Sequence, residues 1–244
     1  MRILATTSYK GTNYSGWQKQ PNVISVQEVI EKELLKFFNR EITIYGAGRT
    51  DAGVHAYGQR FHFDVEVNEL DLDRLLYSLN KMLPDDIKII DVEEVDSDFH
   101  ARYSAKGKIY SYTILFTNKE PFFFDTTYLY PKDIDIDLFK SALDKFVGIH
   151  NFKNFTSKEE DEENFVREIY SINVEHNDSM AYIILQGNGF MRYMIRYIIG
   201  YAIDVASKKY PLESIDDLLA EDSERHIVSS KAPASGLTLM SVIY

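Results

Sequence analysis

The order of hydrophobic periodicities along the first 95 residues constrains the fold more than any other feature of the chain. Apolar alternation, typical of a half-buried strand, gives way to the helical period and then returns. Ser25 and Glu28 form a capping box that predicts one helix start, and Asp71 predicts a second helix, which stops near Pro84. The predicted elements are a strand at 2–9, a helix after 25, strands at 41–46 and 57–65, a helix after 71 and a strand at 86–95. This β-α-β-β-α-β order predicts a ferredoxin-like half.

The rest of the chain repeats that order loosely. Two alternating segments on either side of Asn177-Asp178 predict a hairpin. The predicted elements are strands at 106–117 and 126–130, a helix at 135–147, strands at 166–176 and 180–188, helices at 190–207 and after Pro211, and a strand at 237–244. We therefore predict an α+β fold with two ferredoxin-like halves, residues 1–104 and 105–244. Each half is expected to be an antiparallel sheet with helices packed on one face.

Charge is distributed unevenly along the chain. The net charge of −11 argues at first against a polyanionic partner. Acidic residues are nevertheless absent from 1–27, 99–119 and 186–203, and Asp51 is the one acid between 42 and 63. Either these segments converge into a basic face on an acidic body, or solvated charges cluster there by chance. The acidic stretch 157–164 is expected to form a surface loop.

Composition excludes several classes of chemistry. The chain has no cysteine, so disulfides, thiolate catalysis and cysteine-ligated metal sites are excluded. We see neither a signal-peptide pattern nor an apolar run long enough to span a membrane, and we expect a cytoplasmic protein. Glycine and histidine spacings complete no P-loop, dinucleotide fingerprint or zinc motif. We therefore expect no metal and no nucleotide cofactor.

The stretch GAGRTDAGVHA, residues 46–56, carries the most conspicuous candidate for chemistry. Asp51 can be read as a turn residue whose carboxylate accepts backbone N–H bonds. Alternatively, Arg49 keeps it ionised, because an arginine within about 4–6 Å lowers a carboxylate pKa by roughly 1–3 units. The glycines around it would let a bulky ligand approach the backbone. A permanently ionised carboxylate is a usable nucleophile or electrostatic stabiliser.

Aromatic and basic residues in the second half offer a second candidate site. Tyr110 and Tyr112 lie two apart on a predicted strand and share one face, either as core aromatics or as a platform for a stacked base. Lys106 and Lys108 precede them in the same acid-free segment. Arginines 192 and 196, spaced i,i+4, share a helix face. The first is expected to be solvated or RNA-facing, whereas the second could reach an acid from the other half.

Taken together, these segments resemble the TruA family of tRNA pseudouridine synthases. GAGRTDAGVHA matches that family's catalytic loop almost letter for letter. Further matches extend over nearly the whole chain: YKGTNYSGWQKQ, SVQE, LNKMLPDDI, FHARYSAKGKIYSY, GFMRYMIR and ASGL. The resemblance implies a homodimer that acts on tRNA without a cofactor. The two halves of each chain would enclose an active-site cleft, and the targets would be uridines 38–40 of the anticodon arm.

The resemblance also implies roles for individual residues. Asp51 matches the catalytic aspartate and is expected to be the nucleophile, and Arg196 matches the arginine that pairs with it. Arg49 falls in the loop thought to help expel the target base, and Tyr110 matches the base-binding tyrosine. The remaining residues that we expect to bind substrate are His55, Arg102, Lys106, Lys108 and Arg192. Attack at C1′ and proton loss at C2′ both stay open.

The sequence departs from the family at two places. Lys10 stands where the family usually has aspartate, and Phe165 stands where it usually has threonine, after an acidic run that would repel phosphate. These changes bear on which uridines are modified more than on the chemistry. Two alternatives remain: a non-catalytic tRNA-binding module or chaperone, and a glycosidase-like hydrolase. The hydrolase would need a second carboxylate about 5–9 Å from Asp51.

Overall fold

The computed structural model of the chain describes residues 1–67, 69–157 and 164–244. The chain divides into two compact units: unit 1 is residues 1–106 with 238–244, and unit 2 is residues 107–237. The α+β fold class is confirmed. The sequence-based division placed residues 238–244 in the second half, which differs from this partition. Residues 158–163, the greater part of the predicted acidic loop at 157–164, lie outside the described residues.

The helices and strands follow the predicted order closely. In residues 1–106 they are β1 (Arg2–Tyr9), α1 (Val26–Phe38), β2 (Tyr45–Gly46), β3 (His55–Asp64), α2 (Leu72–Met82) and β4 (Ile87–Val95). After them come β5 (Gly107–Leu115), β6 (Tyr128–Leu129), α3 (Ile136–Asp144), β7 (Gly148–Asn151), β8 (Val166–Asn177), β9 (Met180–Gly187), α4 (Met194–Ala206), α5 (Ser214–Leu219) and β10 (Leu237–Ile243). None of the helices in the described ranges is long and apolar enough to cross a bilayer.

The sheet of unit 1 is built around β1 and β3. Strand β1 pairs antiparallel with β4 on one side and with β3 on the other. The outer edge of β3 is shared: β2 pairs with its later part, at Phe61 and His62, and β10 pairs in parallel with its start, at His55 and Ala56. The β-α-β-β-α-β order predicted for this unit is confirmed. The parallel pairing with β3 is why residues 238–244 belong to unit 1.

The two predicted helix starts in unit 1 are confirmed in atomic detail. The Ser25 side chain accepts a hydrogen bond from the N–H of Glu28 at 3.2 Å, and Asp71 accepts one from the N–H of Arg74 at 2.8 Å. Each cap satisfies a backbone donor that the helix leaves unpaired, which typically stabilises by about 0.5–2 kcal/mol. The chain therefore enters both helices at positions fixed by its own local sequence.

The strand predicted at 41–46 is much shorter in the structure and comprises Tyr45–Gly46. The backbone of Ile44 is engaged by side chains of α1. Its N–H donates to Oε1 of Glu31 at 3.2 Å, and its carbonyl accepts from Nε2 of Gln27 at 3.2 Å. Because these groups bind a helix, they do not extend the ladder that β2 makes with β3.

Unit 2 contains an antiparallel sheet in the order β5-β9-β8-β7, with β6 parallel to β5. The predicted hairpin at Asn177 is confirmed, and its side chain explains the tight turn. Oδ1 of Asn177 accepts from the N–H groups of Ser179 and Met180, both at 3.0 Å. Helix α3 packs against α4 and contacts β8.

Helix α4 begins later than the sequence predicted, at Met194 rather than near 190. Tyr193, the residue before it, has a φ of 62° in the left-handed region. A left-handed residue cannot continue a right-handed helix, so the chain changes direction at this point. Helix α3 likewise ends earlier than predicted, at Asp144 instead of 147.

Candidate active site

Asp51 lies in a turn at the tip of the loop between β2 and β3. The turn is closed by its main-chain carbonyl, which accepts a hydrogen bond from the N–H of Val54 at 3.1 Å. The Asp51 side chain is half-buried, whereas Arg49 two residues earlier is exposed. The Asp-Ala-Gly segment is therefore a turn, and it carries the half-buried carboxylate.

The first glycine-rich segment, residues 10–17, holds this loop in place. The N–H of Trp17 donates to the carbonyl of Thr50 at 3.1 Å, and the N–H of Gly53 donates to the carbonyl of Tyr14 at 3.3 Å. The hydroxyls of Tyr9 and Thr50 lie 2.8 Å apart and share a buried hydrogen bond. Asp51 is thus flanked on both sides by residues whose backbone is fixed.

Gly46 makes room for a side chain of the protein itself. A Cβ atom built on this residue would lie 2.4 Å from Nε1 of Trp17, closer than real contacts allow. Trp17 is 3% exposed and packs against Tyr9 and Phe61. For this glycine, the structure gives a reason other than the approach of a ligand that the sequence suggested.

Asp86 anchors the segment that supports the loop. Its Oδ1 accepts from the hydroxyl of Tyr14 at 2.5 Å, and its Oδ2 accepts from Nδ2 of Asn13 at 3.3 Å. Its carbonyl also accepts from the N–H of Lys10 at 2.9 Å. Burial and then the neighbouring carboxylate raise the pKa of Tyr14, so this hydroxyl keeps its proton and remains a donor. Asp86 was not among the site residues predicted from the sequence.

His55 and Gln59 secure the end of the loop where β3 begins. Nδ1 of His55, a residue that is 5% exposed, accepts from the N–H of Gly11 at 3.0 Å. Nε2 of the fully buried Gln59 donates to the carbonyl of Gly48 at 2.9 Å. The structure therefore gives His55 a positioning contact within unit 1, in addition to the substrate-binding role predicted for it.

The other basic candidates of unit 1 lie where β4 leads into β5. Arg102 is exposed, and its guanidinium lies 5.8 Å from the ring centroid of Tyr103. Lys106 is exposed, and its N–H donates to the carbonyl of Ile243 in β10 at 2.8 Å. The backbone of this segment is thus tied to the last strand, while the charged side chains extend outward.

In unit 2, the two strand tyrosines have different environments. Tyr112 is fully buried, and its hydroxyl donates to the carbonyl of Pro233 at 2.8 Å, so it is a core residue. Tyr110 is 7% exposed and meets Phe190 edge to face, with 5.3 Å between ring centroids. Lys108, two residues before Tyr110 on β5, lies opposite Gly187 at the end of β9.

Arg192, which lies just before α4, and Arg196, in its first turn, converge on one aromatic ring. Because the helix begins only at Met194, the helix face predicted for the two arginines is not formed. The guanidinium carbon lies 4.8 Å from the centroid of Tyr193 for Arg192 and 5.2 Å for Arg196. Nε of Arg196 also donates to the carbonyl of Ala232 at 2.8 Å. Nζ of Lys231 lies 4.1 Å from the same ring centroid. Neither Tyr193 nor Lys231 was predicted from the sequence, although residues 225–244 contain no acid, a signal that points to the lysine.

Comparison with known proteins assigns the family. A family model described as "tRNA pseudouridine synthase" matches residues 5–104 and 142–244. The chain belongs to this family. The two matched ranges contain Asp51, its supporting residues 10–17, Arg192 and Arg196.

Curated relatives of this synthase family match the chain over its full length. A protein of Streptococcus mutans named "tRNA pseudouridine synthase A" is 40% identical, and the match covers 100% of this chain and 99% of that protein. A protein of Protochlamydia amoebophila named "tRNA pseudouridine synthase A 1" is 40% identical over 98% of this chain and 94% of its own. A Staphylococcus aureus protein, "tRNA pseudouridine synthase A", is 36% identical over 99% and 90%.

The candidate residues of this synthase are divided between the two units. Unit 1 carries Arg49, Asp51, His55, Arg102 and Lys106. Within it, Asp51 on the loop before β3 and His55 at the start of β3 both lie beside residues 10–17, which support them. Unit 2 carries Lys108, Tyr110, Arg192 and Arg196. The described residues include no group of three or more His, Asp or Glu side chains placed to hold a metal ion.

Proposed function

We propose that this chain converts uridine to pseudouridine at positions 38–40 of the tRNA anticodon arm, with Asp51 as the nucleophilic carboxylate. The family supports the reaction. The observation that carries the role of Asp51 is its place in a turn held by Tyr14, Trp17 and Val54. A carboxylate on a fixed backbone can meet a sugar atom without first being ordered, which lowers the entropic part of the barrier.

The reaction needs a carboxylate but no external reactant. The N1–C1′ bond of uridine breaks, the uracil turns, and a C5–C1′ bond forms. C5 loses a proton and N1 gains one, so atoms and electrons balance without a cofactor. Ionised Asp51 either attacks C1′ or assists proton loss at C2′, and both routes begin from the same carboxylate.

Within this proposal the remaining residues have separate tasks. Arg196 pairs with Asp51, and its anchorage to Ala232 supports a fixed position for its guanidinium. Exposed Arg49 helps to expel the target base from its stack, which costs a few kcal/mol. Tyr110 receives the base beside Phe190. The residues that bind the rest of the substrate are His55, Arg102, Lys106, Lys108 and Arg192.

The proposal includes a cleft between the two halves, a homodimer and a cytoplasmic location. These three points rest on the family resemblance, and the uneven distribution of basic segments supports a tRNA-binding face. The rival function is a non-catalytic tRNA-binding module or chaperone. Such a protein would hold tRNA through lysines and arginines with a salt-dependent affinity, and Asp51 would be dispensable.

A label on C5 of uridine separates the two functions. Unmodified tRNA carrying tritium at C5 releases it to water when pseudouridine forms. We expect Asp51→Asn and Asp51→Ala to abolish release while tRNA binding persists, and Asp91→Asn, which changes an exposed strand residue, to retain it. Release by both Asp51 variants at the wild-type rate would refute the assignment. Transcripts with single uridine replacements at 38, 39 and 40 then test the choice of positions.

A further inference from the structure

Three cationic side chains surround the ring of Tyr193 in unit 2. Lys231 Nζ lies 4.1 Å from the ring centroid, and the guanidinium carbons of Arg192 and Arg196 lie 4.8 and 5.2 Å from it. Nη2 of Arg192 also donates to the Tyr193 hydroxyl at 3.0 Å. We call Arg192, Tyr193 and Lys231 the tyrosine–cation cluster. Cations gather at an aromatic face because its quadrupole is negative there, but the ring carries no net charge to neutralise them.

The backbone that carries these side chains is held in place by contacts within unit 2. The N–H of Ala232 donates to the carbonyl of Arg196 at 2.9 Å, while Nε of Arg196 donates back to the carbonyl of Ala232 at 2.8 Å. Gly200 allows this close approach, because a Cβ atom there would lie 2.3 Å from the carbonyl oxygen of Ser230. Lys231 is therefore held over the first turn of α4.

The backbone of Arg192 is held by residues 156 and 157. The carbonyl of Arg192 accepts from the Thr156 hydroxyl at 3.1 Å and from the N–H of Ser157 at 3.4 Å. The left-handed φ of Tyr193 then turns the chain between Arg192 and α4. A site whose backbone is already ordered binds with less loss of conformational entropy.

The cluster has an excess of positive charge. Within residues 1–67, 69–157 and 164–244, neither Arg192 nor Lys231 forms an ion pair with a carboxylate. The cluster also stands at the N-terminus of the 13-residue helix α4, to which Tyr193 provides no side-chain cap. Helix N-termini favour anions, so both features call for a ligand with negative charge.

The position of the cluster identifies the anion. Phe190, which meets Tyr110 edge to face, is three residues before Tyr193 in the segment that leads from β9 into α4. A nucleotide whose base lies at Tyr110 would have its backbone near this segment. The planar guanidinium of Arg192 suits phosphate oxygens, and Lys231 adds a point charge.

We propose that the tyrosine–cation cluster is a binding site for a phosphodiester of the RNA backbone and holds the strand next to the target nucleotide. This proposal rests on tRNA being the substrate. It adds Tyr193 and Lys231 to the residues that bind tRNA and assigns them a backbone contact, which affects affinity without reading the sequence.

Binding measured in the Asp51→Asn background tests the site separately from catalysis. The probe is an unmodified tRNA transcript, and its dissociation constant is measured from 50 to 300 mM salt. We expect Lys231→Met to weaken binding roughly three- to tenfold. The negative slope of the logarithm of the association constant against log salt should become less steep by about 0.7–0.9, the value for one lost phosphate contact. Lys231→Arg should retain most of the affinity and the slope.

The matched control is Lys140→Met, which removes the same charge from helix α3. It should leave affinity and slope near those of the background protein. Equal slopes in Lys231→Met and the background protein, with both folded by thermal melting, would overturn the proposal. Failure of the catalytic assignment would give a different result: Asp51 variants would still release tritium, whatever the salt dependence of binding.

Discussion

The hydroxyl of Tyr14 donates to Oδ1 of Asp86 across 2.5 Å, which joins the turn before β4 to the segment that supports Asp51. The carbonyl of the same tyrosine accepts from Gly53, two residues after the candidate nucleophile. Tyr14 is therefore held by Asp86 through its side chain and binds the Asp51 loop through its backbone. Asp86 is a positioning residue that can influence the carboxylate without touching substrate.

Removal of this anchor should lower turnover more than affinity. Asp86→Ala leaves the hydroxyl of buried Tyr14 without its acceptor, at a cost of roughly 1–3 kcal/mol in unfolding free energy. Because a small misplacement of a catalytic group can cost up to about 100-fold, we expect kcat to fall at least tenfold while KM changes little. Steady-state tritium release measures both constants. Asp86→Asn, which keeps an acceptor, should recover part of kcat, and exposed Asp85→Ala should behave as wild type. A loss of kcat that only follows the fraction of unfolded protein would count against positioning.

The contact between Gly46 and Trp17 should be sensitive to a single added methyl group. Gly46→Ala places Cβ against the indole, and overpacking of this kind costs about 1–3 kcal/mol. Trp17 is the sole tryptophan of the chain, so its fluorescence reports on unfolding from beside the loop. Urea titration should show a lower midpoint and a changed native emission maximum. Gly189→Ala is the matched control, because a Cβ there meets nothing within 4 Å. An unchanged midpoint for Gly46→Ala would show that the indole moves aside at little cost.

Stability should rise with pH through the range set by His62. This residue is buried, its Nδ1 accepts from the N–H of Ala101 at 3.2 Å, and its ring lies 4.6 Å from that of His100. Burial, followed by the charges of His100 and Arg2, lowers the pKa of His62 to about 4. The unfolded chain, with an ordinary pKa of about 6.5, then binds more protons between the two values, so the free energy of unfolding increases with pH across that window. Below about pH 4 both states are protonated, and this contribution levels off.

Urea unfolding at pH 4.5 and at pH 7 measures the effect. His62→Gln should reduce the difference in unfolding free energy between the two conditions, and exposed His176→Gln should not. Equal differences in the wild type and in His62→Gln would mean that other groups are responsible. The charge of Asp64 raises the pKa of His62, so Asp64→Asn should lower that pKa further and move the lower end of the pH window downward.

The sequence predicted those parts of the fold whose causes are local. The capping side chains of Ser25 and Asp71, the Asn177 turn and the alternation of the strands all act within a few residues. The late start of α4 was missed because the left-handed Tyr193 lies within an otherwise helical pattern. The short β2 was missed because the backbone of Ile44 binds side chains of α1, which no periodicity records.

The same distinction applies to the candidate site. Asp51 was identifiable because its loop has a distinctive local sequence. Asp86 and Lys231 make their contacts across long sequence separations, through Tyr14 and Tyr193, and the segments around them do not show which residue they reach. The glycine spacing of residues 10–17 completes no P-loop, and their supporting role follows instead from hydrogen bonds to Thr50 and Gly53.

The parallel pairing of β10 with the start of β3 has a consequence for the time at which the protein matures during translation. His55 and Ala56 leave the ribosome early, but their partners Thr238 and Leu239 follow only after all of unit 2. At roughly 5–20 residues per second, this delay is on the order of ten seconds. The strand that anchors the end of the Asp51 loop is thus completed last. A nascent chain that stops within unit 2 would carry every residue of the Asp51 loop but lack the strand beside it. We therefore expect such a chain to be inactive although its loop sequence is complete.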